Sequence, residues 1–365
     1  MSPYRDGDHM NQAMRYRLLA ILLVCSAAFV GLAIQSAAPA AAGQSEAAEG
    51  TEAPARVLRN GTDPDQIAEG LKKFQHGPQL PHKLVANWPT LPKGYNFGET
   101  TGVDIDKHGN VWVANRGAWP VMEFDKSGKM LQAWNRDTVR LTTDIGKGAH
   151  GLKVDVNGNI WLGDVDGSIN FKFSPEGRLL MTLGSRQGSP NANESKSGFN
   201  RPTNFWPLAN GNMLISDGYG NSRIVEFTND GHYVRQFGTP GNGDGQFRLP
   251  HGVTMDTQGR IYVADRGNSR VQVFDRDGKF LAKWTDVGQP WDVVYVAQEN
   301  AIYMCDGAWD RITKLSTDGK VLGELSHYGK APGEVDFPHA IAVSPDGADI
   351  YVAEIKNWRV QKWSR

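Results

Sequence analysis

From Thr101 onward, apolar and polar positions alternate in short runs bounded by glycine, asparagine and aspartate. The runs group into units that begin GVDIDKHGNVWVANRG, GLKVDVNGNIWLGDVDG, NFWPLANGNMLISDGYG, GVTMDTQGRIYVADRG, DVVYVAQENAIYMCDG and AIAVSPDGADIYVAEIK. Each unit reads as an alternating strand, a turn, and a second alternating strand ending in Asp, Asn or Glu. Most units add a third strand, a turn such as DKSGK or DRDGK, and a fourth strand such as MLQAW or FLAKW. Period-two alternation bounded by such turns predicts antiparallel strands. Four strands recurring about every 40–50 residues predict the blades of a β-propeller. No amphipathic helical stretch separates the strands, which excludes a dinucleotide-binding α/β sheet.

The ring's closure is also legible. The sixth unit stops at VQKWSR, after three strands. Its missing outer strand is found upstream, because HKLVANW (residues 82–88) resembles GKFLAKW (residues 278–284). Residues 82–365 therefore read as an all-β, six-bladed propeller closed by an N-terminal strand in the last blade. Such closure removes exposed strand edges.

Ahead of the propeller, Arg15 and Arg17 precede an apolar run over residues 18–34, followed by small residues up to Gly43. Residues 1–42 read as a signal peptide cleaved near Ala38 or Ala42, or as an uncleaved membrane anchor through residues 18–34. The folded part is then exported, to a periplasmic or extracellular space. Residues 43–81 read as a linker and short N-terminal extension, with a short helix within residues 63–74.

Composition narrows this picture. The chain is 39% hydrophobic and 22% charged, as ordinary globular chains are. A net charge of −1 gives no global attraction to nucleic acid or anionic membrane. The 42 glycines and 11 tryptophans suit short strands and tight turns. Of 2 cysteines, Cys25 lies in the N-terminal apolar run, so Cys305 has no disulfide partner in the mature domain.

The repeats supply their own control, since a residue that every blade needs recurs in every blade. The residue leading the first strand is, in blade order, Thr101, His150, Thr203, His251, Trp291 and His339. Histidine falls on alternate blades, and those positions are related by three-fold rotation. First strands line the central channel, so the imidazoles can converge on its axis. Three neutral imidazoles with an open position suit a catalytic zinc. Iron or another divalent ion suits the same ligands. Histidines that simply line a polar channel are the alternative.

The loop leaving the second strand returns to the histidine face. It carries Asn115-Arg116, Asp164-Val165, Asp217-Gly218-Tyr219, Asp265-Arg266, Asp306-Gly307 and Glu354-Ile355. The recurring acid reads as structural, holding loop amides. Arg116 and Arg266 stand in blades one and four, opposite each other. Two guanidiniums facing a metal suit the carboxylate of an anionic small-molecule or peptide substrate. Surface salt bridges for the arginines and core packing for Tyr219 are the alternatives. Nucleic acid is not an expected partner, and a membrane is one only if the N-terminal segment is uncleaved.

DRGNSRV and DGYGNSRI resemble NHL-type propeller repeats. The ordered set SDGYGNSRIVEF, GQFRLPHGVTMD and YVADRGNSRVQVF is similar to the peptidyl-α-hydroxyglycine α-amidating lyases. That resemblance implies zinc on His150, His251 and His339, a catalytic Tyr219, and active-site arginines at Arg116 and Arg266. It implies cleavage of an α-hydroxyglycine C–N bond to a peptide amide and glyoxylate. It also implies a calcium held by the backbone carbonyls of Val103 and Leu152, but the carboxylate that completes this site is Ala340 here. A methionine two residues before the third histidine is Phe337 here. An exported binding module and a metal-dependent hydrolase or lactonase are the competing readings.

Overall fold

The computed structural model describes residues 69–142, 148–186, 188 and 192–365. Among them six four-stranded antiparallel sheets form. Blade one runs outward from Thr100–Ile105 through Val111–Asn115 and Val121–Phe124 to Met130–Trp134. The inner strands of blades two to five are Ala149–Val154, Asn204–Pro207, Pro250–Met255 and Pro290–Val296. Blade six takes Pro338–Val343, Asp349–Glu354 and Arg359–Ser364 from the C-terminus and Lys83–Leu84 from upstream. The protein is a six-bladed β-propeller closed by an N-terminal strand.

In the closing ladder Lys83 lies opposite Ser364 and Leu84 opposite Trp363. The Val85 amide donates to the Lys362 carbonyl at 2.8 Å. The ladder is shorter than residues 82–88, because Asn87 takes a left-handed φ of 58° and turns the chain away. Trp88 still occupies the place that tryptophan holds in other fourth strands. Its ring lies 4.8 Å from Tyr351 of blade six and 6.0 Å from Phe124 of blade one. Trp134 likewise sits 5.4 Å from Trp112 in its own blade and 5.5 Å from Phe173 in the next.

The second and third strands of the blades are almost wholly buried, while outer strands alternate, with Leu281 exposed and Trp284 buried. A blade has two apolar faces, and each meets a neighbour. Apolar clusters form at every blade junction. The closing junction joins Val103 and Phe124 to Ala342 and Tyr351. Full burial of one such side chain is worth about 1.5–3 kcal/mol, so each junction is strongly favoured without a disulfide. Cys305 is buried and free.

The extension ahead of the closing strand lies along blade five. Phe74 packs on Trp309 with ring centroids 5.4 Å apart. Leu80 N–H donates to Glu324 O, and Glu324 N–H to Pro78 O, beside the outer strand Val321–Leu325. Of the helix expected within residues 63–74, residues 69–74 fall among the described residues; 69–71 are helical and 72–74 turn. The signal or anchor segment over residues 1–42 lies outside the described residues. Among the described residues no helix is long and apolar enough to cross a membrane.

The recurring acid staples the histidine face. In five blades the acid, and in blade one Asn115, accepts a backbone N–H from the connection leading into the inner strand. The pairs are Asn115 with Gly98, Asp164 with Thr142, Asp217 with Asn200, Asp265 with Arg248, Asp306 with Gln289 and Glu354 with Asp336, at 2.7–3.1 Å. In blades three to six an arginine on the third strand donates to the same acid: Arg223, Arg270, Arg311 and Arg359. Charge-assisted bonds of this kind are short and strong. They hold rigid the loops from which the site's side chains project.

Candidate metal centre

His150, His251 and His339 meet at the head of the channel. They are 1%, 1% and 2% exposed, and one nitrogen from each lies within 4.8 Å of the others. Ring centroids are 5.0 Å apart for His150 and His251, 4.7 Å for His150 and His339, and 4.9 Å for His251 and His339. The three blades without histidine complete the arrangement. His150 Nδ1 bonds Thr203 O at 2.7 Å, His251 Nδ1 bonds Trp291 O at 2.6 Å, and His339 Nδ1 bonds Thr101 O at 2.8 Å. Each histidine thus uses the carbonyl of the leading residue one blade on.

A carbonyl only accepts, so each Nδ1 carries the proton and each Nε2 presents a lone pair. Nε2 of His251 and of His339 is buried without a hydrogen-bond partner. Burial together with the positive charges of Arg116 and Arg266 pushes His150 down to about 3. Burial, with charges from neighbouring histidines and arginines, holds His251 and His339 well below the ordinary imidazole range. Three neutral, fixed imidazoles with inward lone pairs fit a divalent metal, and the carbonyl bonds are the outer-shell partners that metal-binding histidines require.

Tyr219 projects from the blade-three loop. Gly218 before it must lack a side chain, since a Cβ there would stand 1.8 Å from Pro250 O. The Tyr219 hydroxyl lies 3.2 Å from His150 Nε2 and 3.3 Å from Arg266 Nη1. Arg266 donates to this oxygen, and the hydroxyl proton points to the imidazole. The Arg266 guanidinium is stacked 3.2 Å from the Trp291 ring centroid. Arg116 donates through Nε to Ala149 O at 3.2 Å and through Nη1 to Glu99 at 2.7 Å. All six side chains singled out from the repeat phases therefore converge on one face.

Three neighbours carry no signal strong enough in the sequence. Trp291 was visible only as the odd leading residue, yet its ring supports Arg266 and its carbonyl orients His251. Glu99 is the bridge partner of Arg116. Arg201 lies 5.3 Å from the Tyr219 ring centroid and pairs with Asp166. Phe337 packs edge-on against Trp291, with centroids 4.4 Å apart.

The implied calcium does not fit. Ala340 brings no carboxylate, and Leu152 is followed by Lys153, whose buried ammonium stands 3.8 Å from Asp104. The channel beneath the histidines instead carries a buried lysine, Lys153.

The family profile described as NHL repeat matches residues 247–274. NHL repeat-containing protein 3 from Homo sapiens is 30% identical over 298 residues, covering 77% of this chain and 84% of that protein. This chain belongs to the NHL-repeat family. Peptidyl-alpha-hydroxyglycine alpha-amidating lyase 2 from Drosophila melanogaster is 26% identical over 341 residues, covering 80% of this chain and 79% of that protein. This NHL propeller also overlays a gluconolactonase from Xanthomonas campestris with a TM-score of 0.58 at 12% identity, covering 80% of this chain and 94% of that one. At such identity the agreement concerns the fold alone.

Proposed function

We propose that this NHL propeller is a zinc-dependent carbon–nitrogen lyase. Its substrate would be a peptidyl-α-hydroxyglycine or a related α-hydroxy amide, and its products an amide and glyoxylate. The observation that carries the reading is the Tyr219 hydroxyl, set 3.2 Å from His150 Nε2 and 3.3 Å from Arg266 Nη1. A proton acceptor, three metal-ready nitrogens and a guanidinium then surround one small volume. Zinc bound by His150, His251 and His339 would supply Lewis-acid polarisation of the substrate's α-hydroxyl oxygen.

The chain's own residues do the rest. Arg266, held flat by Trp291, presents donors suited to the substrate carboxylate. Arg116 holds the opposite side, fixed by Glu99. As the phenolate, with its own proton already given up, Tyr219 would take the α-hydroxyl proton as the carbon–oxygen double bond of glyoxylate forms, and that same proton would pass to the leaving amide nitrogen. The C–N bond breaks, and the amide nitrogen leaves with a proton. Amidating-lyase relatives support the reaction class; a metal-dependent hydrolase working through the same three histidines is the alternative. Export to a periplasmic or extracellular space, through the N-terminal segment, belongs to the same proposal.

Metal analysis of the purified protein, paired with glyoxylate release from an N-acyl-α-hydroxyglycine, tests the reading. One zinc per chain with glyoxylate release supports it. Zinc without glyoxylate overturns the lyase. Substituting His251→Ala should remove most of the metal, and unchanged metal content would sink the three-histidine site.

A further inference from the structure

Beneath the three histidines the channel holds charge that the proposed reaction does not use. Lys153 lies three residues after His150, and its side chain is 2% exposed. Its Nζ is buried without a hydrogen-bond partner among the described residues. Asp104 of blade one stands 3.8 Å away. Asp292 of blade five is 1% exposed and interacts with the same ammonium. A buried ammonium is strongly disfavoured unless opposite charge surrounds it.

The carboxylates are fixed from several blades. Asp104 Oδ2 accepts from Val154 N–H of blade two at 2.8 Å. Asp292 accepts from Asn204 Nδ2 of blade three at 2.8 Å, and from Ile341 N–H of blade six at 3.2 Å. The position is not a blade requirement. In register with Asp104 and Lys153 the other blades carry Trp206, Thr254, Val294 and Ala342.

We infer that Asp104, Lys153 and Asp292 form the cation site of the channel, and that its cation is the protein's own ammonium. Val103 and Leu152 directly precede Asp104 and Lys153 in the same two inner strands. A dication at those carbonyls would meet a fixed positive charge, with alanine where a carboxylate is needed. A tethered ammonium costs no binding step and is not lost by dilution. The propeller is therefore independent of calcium. This holds whichever reaction the histidine face performs.

The test uses the full chain loaded with zinc. After equilibration in millimolar calcium chloride and gel filtration, elemental analysis should find zinc but no stoichiometric calcium. The Tm should be the same with and without calcium. One calcium per chain, with a Tm that rises with calcium, overturns the inference. Three variants sharpen it. Ala340→Asp alone should still bind no calcium, because the ammonium remains. Lys153→Ala with Ala340→Asp should bind one calcium and gain Tm from it. Equal calcium binding by the single and double variants would show that Lys153 excludes nothing. Lys153→Ala alone should lower the Tm, and a Tm equal to wild type counts against the site. If the lysine variants do not fold, the wild-type measurement and Ala340→Asp still decide.

Discussion

His251 and Trp291 are joined across a blade boundary by a bond from Nδ1 to the carbonyl oxygen at 2.6 Å, while the same tryptophan's ring carries Arg266 at 3.2 Å. One residue thus orients a metal-ready imidazole with its backbone and a substrate-facing guanidinium with its side chain.

Those two roles separate by mutation. Trp291→Leu keeps the carbonyl but removes the platform. Metal content should be retained, while KM for a carboxylate substrate rises about tenfold, between the scales of an exposed and a desolvated cation–π contact. Steady-state kinetics with metal analysis checks this. Loss of metal together with activity would mean that the ring, not the carbonyl, positions His251.

Tyr219→Phe keeps the ring that lies edge-on to His150 and His251 but removes the hydroxyl. Turnover should fall by roughly 10²–10⁴, the usual share of a positioned acid or base. Zinc content should not change. Full activity in this variant would remove Tyr219 from the mechanism.

Acid should weaken the metal-stripped protein. The histidines are held below their ordinary pKa of about 6.5, His150 at about 3. Above that ordinary value neither folded nor unfolded chains bind the proton, so stability is unaffected. Below it the unfolded chain takes up protons that the folded chain cannot. Stability should fall as pH drops from about 6.5 towards 3. Urea unfolding across this range gives the slope, which should shrink when His150 is replaced by asparagine. An unchanged slope would mean that other groups set the acid response.

Closure depends on Trp88. Its truncation to alanine empties a site between Tyr351 and Phe124. A loss of about 3–5 kcal/mol is expected from such a cavity, read as a lower urea midpoint. Deleting residues 82–88 should strongly destabilise the fold, because blade six loses its outer strand and the closing junction loses Trp88.

Much of this was legible in the chain because repeats convert three-dimensional phase into sequence phase. His150, His251 and His339 stood out since Thr101, Thr203 and Trp291 occupy the same register without imidazoles. The side-chain oxygen ending each second strand was readable as a loop staple because it recurs in all six blades, as an acid in five and as Asn115 in the first. The closing strand was readable from its match to residues 278–284, but not its early end, which a left-handed Asn87 decides. Recognition of Tyr219, Arg116 and Arg266 as one face needed only the order of strands.

The sequence by itself determined the strands, the number of blades, the closure and the residues that can reach the axis, because period-two patterning and repeat phase are local properties. Only the tertiary structure decided who meets whom across the ring. Glu99 with Arg116, Trp291 under Arg266, Phe74 on Trp309, and Lys153 with Asp104 all join residues from different blades or turns. Such contacts depend on the angle between neighbouring blades and on the width of the channel. No local pattern encodes those quantities, since they arise when six apolar junctions pack and the ring closes.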